Sequence, residues 1–587
     1  MSWIQDPNRV RTLLSGRHQK VALGREDVAL ATVSGVLTTK TPLVRYVDER
    51  LPAFTVVTTK SFQVRANPGN REPIICEPEA GSFGNSVGLK NPGMTVALEE
   101  LLELRKSHEM RSLLNVSVSA STVEDFITLV GAFETVADII ELNFSCPHAS
   151  AGYGASIGCS PELSGLYMRE IRAAFPHCKA LIFPKLTPNV PDIAQIAREV
   201  MDAGADGIVA INTVGPEIHR DTVSGTPILQ NSLGGKGGKS GLWILQDALA
   251  CVRAIRKELG PEVPIIGMGG VATGKDVAAM VKAGADIVGV GSAFGKVLQS
   301  DWRLFIEALV EDATAVLQGS EDPKGVARWY RAGRSMDYRK FTITDRTQHG
   351  EDTVVLKLDG SWKYEAGQFV FLWLPQVGEK PFSIAEAEPL TFVIKRRGTF
   401  TRAVFDLAVG DCLYIRGLYG APVKVDATKR ALLLAGGTGV AVLPALARRL
   451  HEQNTEMEIF IGTSETPSVQ SSSGVLEVTL AAFAPVTTIA DRGKVGRVLD
   501  TLRTRLREVD VEGLSTYVVG PTQFMRLATE EMVKAGVDPS RIHLSLELST
   551  LCGIGMCGEC LCGDRLTCAW GTFIDYAYLQ REAPELL

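Results

Sequence analysis

The tightest constraint on this chain lies near its C-terminal end. Leu551 to Cys568 reads LCGIGMCGECLCGDRLTC, five cysteines in eighteen residues. Cys552, Cys557 and Cys560 have the spacing C-x4-C-x2-C. That spacing lets a tight loop wrap three thiolates around a [2Fe–2S] cluster, with a fourth supplied further along. Gly553, Gly555 and Gly558 suit a loop that needs positive-φ positions and inward N–H groups. The fourth ligand is Cys562 or Cys568. Cys568 is favoured, because Cys562 follows Cys560 too closely to turn back onto a second iron. A zinc site is the weaker reading, since structural zinc usually takes two short knuckles and no second knuckle or His pair follows. Unliganded thiols are the third. A cluster of this kind moves one electron at a time, so the rest of the chain should hold a donor, an acceptor and their substrate.

A chain of 587 residues is long enough for about three or four domains. Its net charge of −6 gives no reason to expect nucleic acid or an anionic membrane as partner. The remaining cysteines (76, 146, 159, 178, 251 and 412) are scattered without a disulfide-like pattern, which points to a reducing cytoplasm. The opening MSWIQDPNRVRTLLSG has no apolar core of a signal peptide. The long apolar stretch Ala431 to Leu450 contains Gly436, Gly437, Gly439 and Pro444 and ends in Arg448 and Arg449, so it reads as strand, loop and helix rather than a membrane span.

From about residue 30 to 320, short β-like runs alternate with helical patterns. FTVVTTK (54–60), DIIELNFS (138–145), ALIFPKL (180–186), GIVAINT (207–213), PIIGMGG (264–270) and DIVGVGS (286–292) read as strands. Asp192–Ala203 and Gly274–Ala283 read as helices. The repetition fits a (β/α)8 barrel, whose functional residues sit at the C-terminal ends of strands. Lys60, Asn143, Lys185 and Asn212 each close a predicted strand. Glycines in GMGGV (267–271) and VGVGSA (288–293), after the last two strands, would let N–H groups approach a phosphate. The bland alternative is that they only make tight βα turns.

LNFSCPH (142–148), PKLTPNV (184–190), INTV (211–214), GGKGGKSG (234–241) and GMGGV together resemble the FMN barrel of the dihydroorotate dehydrogenases. The resemblance is to the class paired with an iron–sulfur flavoprotein subunit, and the barrel of dihydropyrimidine dehydrogenase is also similar. It implies Cys146 as general base, taking the C5 proton of dihydroorotate while a hydride leaves C6 for flavin. Cysteine suits this because its pKa near 8.5 can be lowered by nearby cations or N–H groups. Cys159 is a rival base, and a lone cysteine after a strand is otherwise a small buried filler. The resemblance implies Lys185 and Lys60 as catalytic cations beside the flavin. It implies Asn85, Asn143, His148, Asn212 and Thr213 as substrate contacts, and Ser34, Gly35, Lys60, Lys185, Gly241, Gly269, Gly270, Gly291 and Ser292 as FMN contacts. Two departures bear on substrate. The chain reads SCPH where dihydroorotate dehydrogenases usually read SCPN, and His148 there is dihydropyrimidine-dehydrogenase-like. Val87 stands where that second family carries a glutamate. VSGVLTTKT (33–41) also differs from the usual flavin loop.

A polar connection, 319–337, follows the barrel region 1–318. DTVVLKLDG (352–360), GQFVFLWL (367–374), LTFVIKRR (390–397) and DCLYIRGLYG (411–420) then read as a small antiparallel barrel over 338–425. EKPFSIA (379–385) resembles the R-P-x-S-I flavin motif of ferredoxin-reductase-like proteins, with Lys380 in place of Arg; a lysine keeps the charge and loses the fork. The resemblance implies FAD contacts from Lys380, Pro381, Phe382 and Ser383, and from Gly398, Thr399 and Thr401 in the following RRGTFTRAV. ALLLAGGTGVAVL (431–443) and STYVVGPTQFM (515–525) resemble the NAD loops of that family, through Gly436, Gly437, Thr438, Gly439, Gly520 and Pro521. A nucleotide domain would span 426–543 and a cluster domain 544–587, with Cys552, Cys557, Cys560 and Cys568 as ligands. The order matches the electron-transfer subunit of the class 1B enzymes, as if two subunits were fused.

The expectation is therefore an α/β oxidoreductase carrying FMN, FAD, a [2Fe–2S] cluster and NAD(H), acting on a pyrimidine in the cytoplasm. The resemblance adds a homodimer. The rival expectations are an NAD(P)H-dependent reductase of uracil, thymine or another heterocycle, and a barrel without catalysis that docks the reductase.

Overall fold

A computed structural model describes residues 28–587 apart from 145–156, 322, 324, 327–328, 331–334, 426–428, 464–474 and 491–495. The chain divides into two units. The first is Met1–Asp337 with Ile554–Gly558, and the second is Tyr338–Gly553 with Glu559–Leu587.

The first unit is built on a closed barrel of eight parallel strands. In chain order these are Leu30–Thr32, Phe54–Thr58, Leu113–Val118, Ile139–Asn143, Leu181–Leu186, Ile208–Ala210, Ile265–Met268 and Ile287–Val290. Each pairs with its sequence neighbours, and Leu30 meets Val288 to close the ring. Alternate residues such as Ala29 and Ala31, Leu181 and Phe183, Ile266 and Met268 fill the interior, as the period of two requires. The helices pack one stripe onto this wall. Ile193–Asp202 buries Ile193, Ile196, Ala197 and Val200, spacing that only a 3.6-residue period puts on one face.

Three buried or half-buried Arg–Asp clasps tie the N-terminal ends of the strands. Arg105 meets Asp138 at 2.9 Å, Arg172 meets Asp206 at 2.7 Å and Arg256 meets Asp286 at 2.7 Å. Each aspartate stands just before an even-numbered strand and accepts the N–H of Leu114, Ile182 or Ile265 on the strand before it. Each arginine also donates Nε to the carbonyl of Val136, Gly204 or Gly284. Breaking one partner of such a buried pair costs about 3–5 kcal/mol.

At the opposite face, the segments after the second and sixth strands form a four-stranded antiparallel sheet: Ile75–Glu79, Ser82–Asn85, Lys236–Gly241 and Val214–Ile218. Asn85 therefore sits on an added strand rather than on a plain barrel loop. Asn212 lies two residues beyond its strand, which ends at Ala210.

Among the described residues the second unit has two large sheets and a two-stranded pair, Leu561–Cys562 with Arg565–Leu566. Seven antiparallel strands run in series from Gly378–Ser383 to Glu386–Ala387, and their inner residues share one core around Leu356, Leu372, Phe392 and Ile415. Six further strands have the order Val486–Ala490, Glu456–Thr463, Arg430–Gly436, Leu514–Val519, Ile542–Ser545, Phe573–Asp575. The first five are parallel, and the last is antiparallel to Ile542–Ser545. Residues 544–587 thus share a sheet with the nucleotide region instead of standing apart. Cys562, Tyr578 and Leu579 also join the core that holds Leu432 and Leu514. Among the described residues no helix is long and apolar enough to cross a membrane.

Candidate functional site

The C-terminal ends of the barrel strands carry a continuous polar network. Ser34 Oγ lies 2.9 Å from Ser61 Oγ, which lies 2.9 Å from Ser117 Oγ. Ser117 donates to Glu141 Oε1 at 2.8 Å, and Lys185 Nζ reaches the same oxygen at 3.5 Å. Asn143 Nδ2 donates to Ser61, Asn212 Nδ2 donates to Asn143 Oδ1, and Asn212 Oδ1 accepts the N–H of Thr213. Lys185, Asn143, Ser61, Ser117 and Glu141 are all buried. A buried charge or amide is tolerated only when it is paired. Two atoms of this network break that rule: Thr213 Oγ1 and Glu141 Oε2 are buried with no hydrogen-bond partner among the described residues. Such orphans fit a site built for a polar ligand.

Lys60 is half-buried, and a Cβ on Gly35 would stand 3.6 Å from its Nζ. Asn85 Nδ2 donates to the Gly238 carbonyl at 3.2 Å, so the added sheet fixes it. After the seventh strand, Gly270 has φ +75°, and a Cβ there would meet the Gly241 carbonyl at 2.8 Å. Only glycine allows this turn to approach that strand so closely. Gly291 is buried and Ser292 half-buried at the end of the eighth strand. Cys146 and His148 lie outside the described residues.

Sequence reading missed Ser61, Ser117 and Glu141, which link the expected residues. Glu141 carried a signal: an acid at the centre of the apolar strand run IIELN needs a buried partner.

In the second unit, a cavity of about 630 Å³ opens between Gly436–Gly439 on one side and Gly520 and Pro521 on the other. It lies where the strand order reverses, between Arg430–Gly436 and Leu514–Val519. Crevices at such switch points are the usual ligand sites of parallel sheets. A Cβ on Gly520 (φ +156°) would sit 3.1 Å from the backbone of Gly436, so both loops must stay bare. The sequence reads as strand, loop and helix here, and the loop takes a defined form. A 3-10 segment, Gly437–Val442, precedes the helix Leu443–Glu452. Lys395, Arg397, Thr463 and Glu547 also line the cavity. Sequence reading left these four out of the nucleotide site. Lys395 and Arg397 were placed only in the flavin region, where their basic run was visible.

Lys380 is exposed on its strand, while Pro381, Phe382 and Ser383 are half-buried. The Phe382 ring lies 6.2 Å from that of Phe400. Gly398 has open space around it and precedes the short helix Thr399–Phe405. Thr401 Oγ1 accepts from the N–H groups of Arg397 and Gly398, both at 2.9 Å. Its hydroxyl therefore closes the loop.

Cys552, Cys560 and Cys568 are buried thiols of the second unit, none of them in a disulfide. Hydrogen bonds with Cys552 and then Cys560 hold the Cys568 thiol well above its ordinary value, and the bond from Cys568 lowers Cys560. The carbonyl of Cys560 accepts from the N–H and hydroxyl of Thr567, and that of Cys568 accepts the N–H of Gly420. Cys557 is half-buried in the stretch that groups with the first unit. Cys562 is different. It packs in an apolar core, its carbonyl accepts from the Tyr578 hydroxyl, and burial pushes its thiol up to about 12. Among the described residues no three His, Cys, Asp or Glu side chains converge on a single-ion site. A two-iron centre distributes its thiolates over two metals, and three buried thiols, Cys568 bonded to both Cys552 and Cys560, are a donor set of that chemistry.

Beside Cys552 lies a fully buried cation. Arg416 Nε and Nη2 grip the two carboxylate oxygens of Glu379 at 2.9 and 2.6 Å. Its Nη1 donates to the Tyr419 hydroxyl at 2.7 Å and to the Cys552 carbonyl at 3.0 Å. The Tyr338 hydroxyl donates to Glu379 at 2.6 Å. Burial opposes the Arg416 charge, but Glu379 outweighs it and holds its pKa above the ordinary value.

A family model for dihydroorotate dehydrogenase matches residues 29–301. The catalytic subunit of dihydroorotate dehydrogenase B (NAD(+)) from Methanocaldococcus jannaschii is 42% identical over 238 residues, which is 40% of this chain and 74% of that protein. The chain belongs to the dihydroorotate dehydrogenase family. It is an oxidoreductase, and the family's barrel is the one described above. The dihydroorotate dehydrogenase A (fumarate) of Lacticaseibacillus paracasei is 36% identical over 238 residues, 40% of this chain and 78% of that protein. A structure of an NADH-dependent reduced ferredoxin-NADP oxidoreductase aligns with 42% of this chain and 93% of its own, at 23% identity and a TM-score of 0.36.

Proposed function

We propose that this chain oxidises dihydroorotate to orotate in its barrel and passes the electrons to NAD+ through its second unit. The observation that carries the first part is the buried network from Ser34 to Thr213, with its unpaired hydroxyl, at the C-terminal ends of the strands. Bound FMN and FAD would supply hydride and single-electron exchange, and a [2Fe–2S] cluster the single-electron step between them. Cys146 takes the C5 proton. Lys185, fixed by Glu141, presents a cation where negative charge develops on the flavin. Asn143, Asn212, Asn85 and His148 offer the donors and acceptors that a pyrimidine and its carboxylate need, and the Thr213 hydroxyl gains a partner. Lys60, Ser34, Gly35, Gly241, Gly269, Gly270, Gly291 and Ser292 hold FMN. Lys380 to Ser383, with Gly398 and Thr399, hold FAD. The bare loops at Gly436–Gly439 and Gly520–Pro521 hold NAD.

The test is anaerobic. Dihydroorotate added without nucleotide should bleach the flavin absorbance of the purified chain. If dihydroorotate leaves the flavins oxidised while NADH bleaches them and uracil or thymine restores them, the substrate reading is wrong and the pyrimidine-reductase reading replaces it.

Cys552, Cys557, Cys560 and Cys568 are the cluster ligands in this reading. A Cys568→Ala chain is therefore expected to lose its iron and inorganic sulfide. A Cys562→Ala chain should keep both, because that thiol sits in an apolar core. Metal and sulfide assays per chain decide it; iron lost only from Cys562→Ala would reverse the assignment.

A further inference from the structure

We infer that Arg416 is a positioning residue for the iron–sulfur centre, fixing the Cys552 ligand and raising the centre's midpoint potential. The inference rests on the cluster reading above.

Three observations converge on one end of the strand Cys412–Tyr419. First, Arg416 is wholly buried and spends Nε and Nη2 on Glu379, leaving Nη1 to face Tyr419 and the Cys552 carbonyl. Second, the guanidinium lies 4.0 Å from the Phe371 ring centre and 5.2 Å from that of Tyr419. The same two rings would stand 2.9 and 3.0 Å from a Cβ on Gly553 (φ +80°). The Cys552–Gly553 backbone is therefore pressed onto a platform of Arg416, Phe371 and Tyr419. Third, Gly420, just past the strand, donates its N–H to the Cys568 carbonyl at 2.9 Å. One short segment thus fixes the backbone of two ligands.

Stability alone does not explain a buried ion pair, since apolar side chains of similar volume often serve as well. The orientation offers an explanation. The Glu379 end of the pair points away from Cys552, and the guanidinium end points toward it. A cluster gains one negative charge on reduction. A fixed positive end beside its ligand stabilises that state, and hydrogen bonding and local charge are among the levers that set cluster potential. Tyr338 donates to Oε2 of Glu379, the oxygen that Arg416 Nε also grips, so the carboxylate cannot swing toward the thiols without losing both bonds.

The experiment uses the full chain in three forms: wild type, Arg416→Lys, and the triple variant Tyr338→Phe/Glu379→Met/Arg416→Met. Lysine keeps the charge and loses the fork. The triple variant removes both charges together, so no carboxylate is left stranded. FAD and iron are counted per chain, and the cluster's paramagnetic spectrum is followed through a redox titration. With FAD retained, both variants are expected to hold a cluster that is harder to reduce. The one-electron equilibrium should shift at least tenfold in the triple variant, a fall of 59 mV, with an altered spectrum. Loss of iron with FAD retained equally supports a positioning role. Full iron with wild-type spectrum and potential in the triple variant would overturn the proposal. If the triple variant also loses FAD, Arg416→Lys decides by the same readouts. A wild-type chain that carries FAD but no iron and no cluster spectrum would instead overturn the cluster reading itself.

Discussion

A Cys146→Ala chain should lose dihydroorotate-driven flavin bleaching by roughly 10²–10⁴-fold, the usual contribution of a positioned acid or base. NADH should still bleach the FAD proposed for the second unit, because the cavity at Gly436–Gly439 proposed to take NAD is not lined by Cys146. Stopped-flow absorbance with each reductant separates the two. In the wild type, the dihydroorotate phase should speed up as pH rises through the thiol's pKa, since only the thiolate accepts the proton. The free-cysteine value is about 8.5. Cys146→Ser should slow the reaction nearly as much, a hydroxyl being a far weaker base at neutral pH. Full bleaching in Cys146→Ala would remove this residue from the chemistry and turn attention to Cys159, an exposed thiol.

The second large effect is on stability. Arg416→Ala leaves Glu379 buried with only Tyr338 for company. An uncompensated buried charge costs about 3–5 kcal/mol, a large share of the stability of an ordinary domain. Urea unfolding followed by FAD release should show a clear fall in midpoint. Removing the carboxylate as well, as in the triple variant, should restore much of the loss. The single alanine variant remaining as stable as the triple variant would mean that Glu379 finds another partner or takes a proton at no great cost.

Much of this architecture was legible in the sequence because it rests on period and punctuation. The alternation of strands and helices over the first half gave the barrel, and the strand ends fell within one to three residues of the expected places. Strand Leu181–Leu186 and helix Gly274–Ala283 are examples. The Gly-Gly-Thr-Gly loop sits at the switch point because a buried run followed by glycines can do little else. What was hidden depends on pairing between distant residues. Nothing local in Arg416 announces a partner at Glu379 or a carbonyl at Cys552. Ser61 and Ser117 become a relay only when the barrel closes. Thr401 read as a phosphate contact, and its second task of fastening the loop was not visible, since a threonine three residues beyond a glycine serves either purpose. The 544–587 tail looked separate because its cysteines dominate its composition. Its pairing through Phe573–Asp575 is a three-residue strand with almost no sequence signature.

The three Arg–Asp clasps join the third strand to the fourth, the fifth to the sixth and the seventh to the eighth, and they skip the junctions between those pairs. The barrel is therefore stitched in two-strand blocks. A break within a block, in the segment 188–191 between the fifth and sixth strands, divides two strands that a clasp joins, whereas a break at the start of helix Pro161–Ala174, between the fourth and fifth strands, keeps every clasped pair on one piece. Gene duplication, fragment exchange or circular permutation would find natural cutting points at the unstitched junctions. The face that binds ligands is untouched by the stitching, so blocks can be traded at one end of the barrel while chemistry diverges at the other.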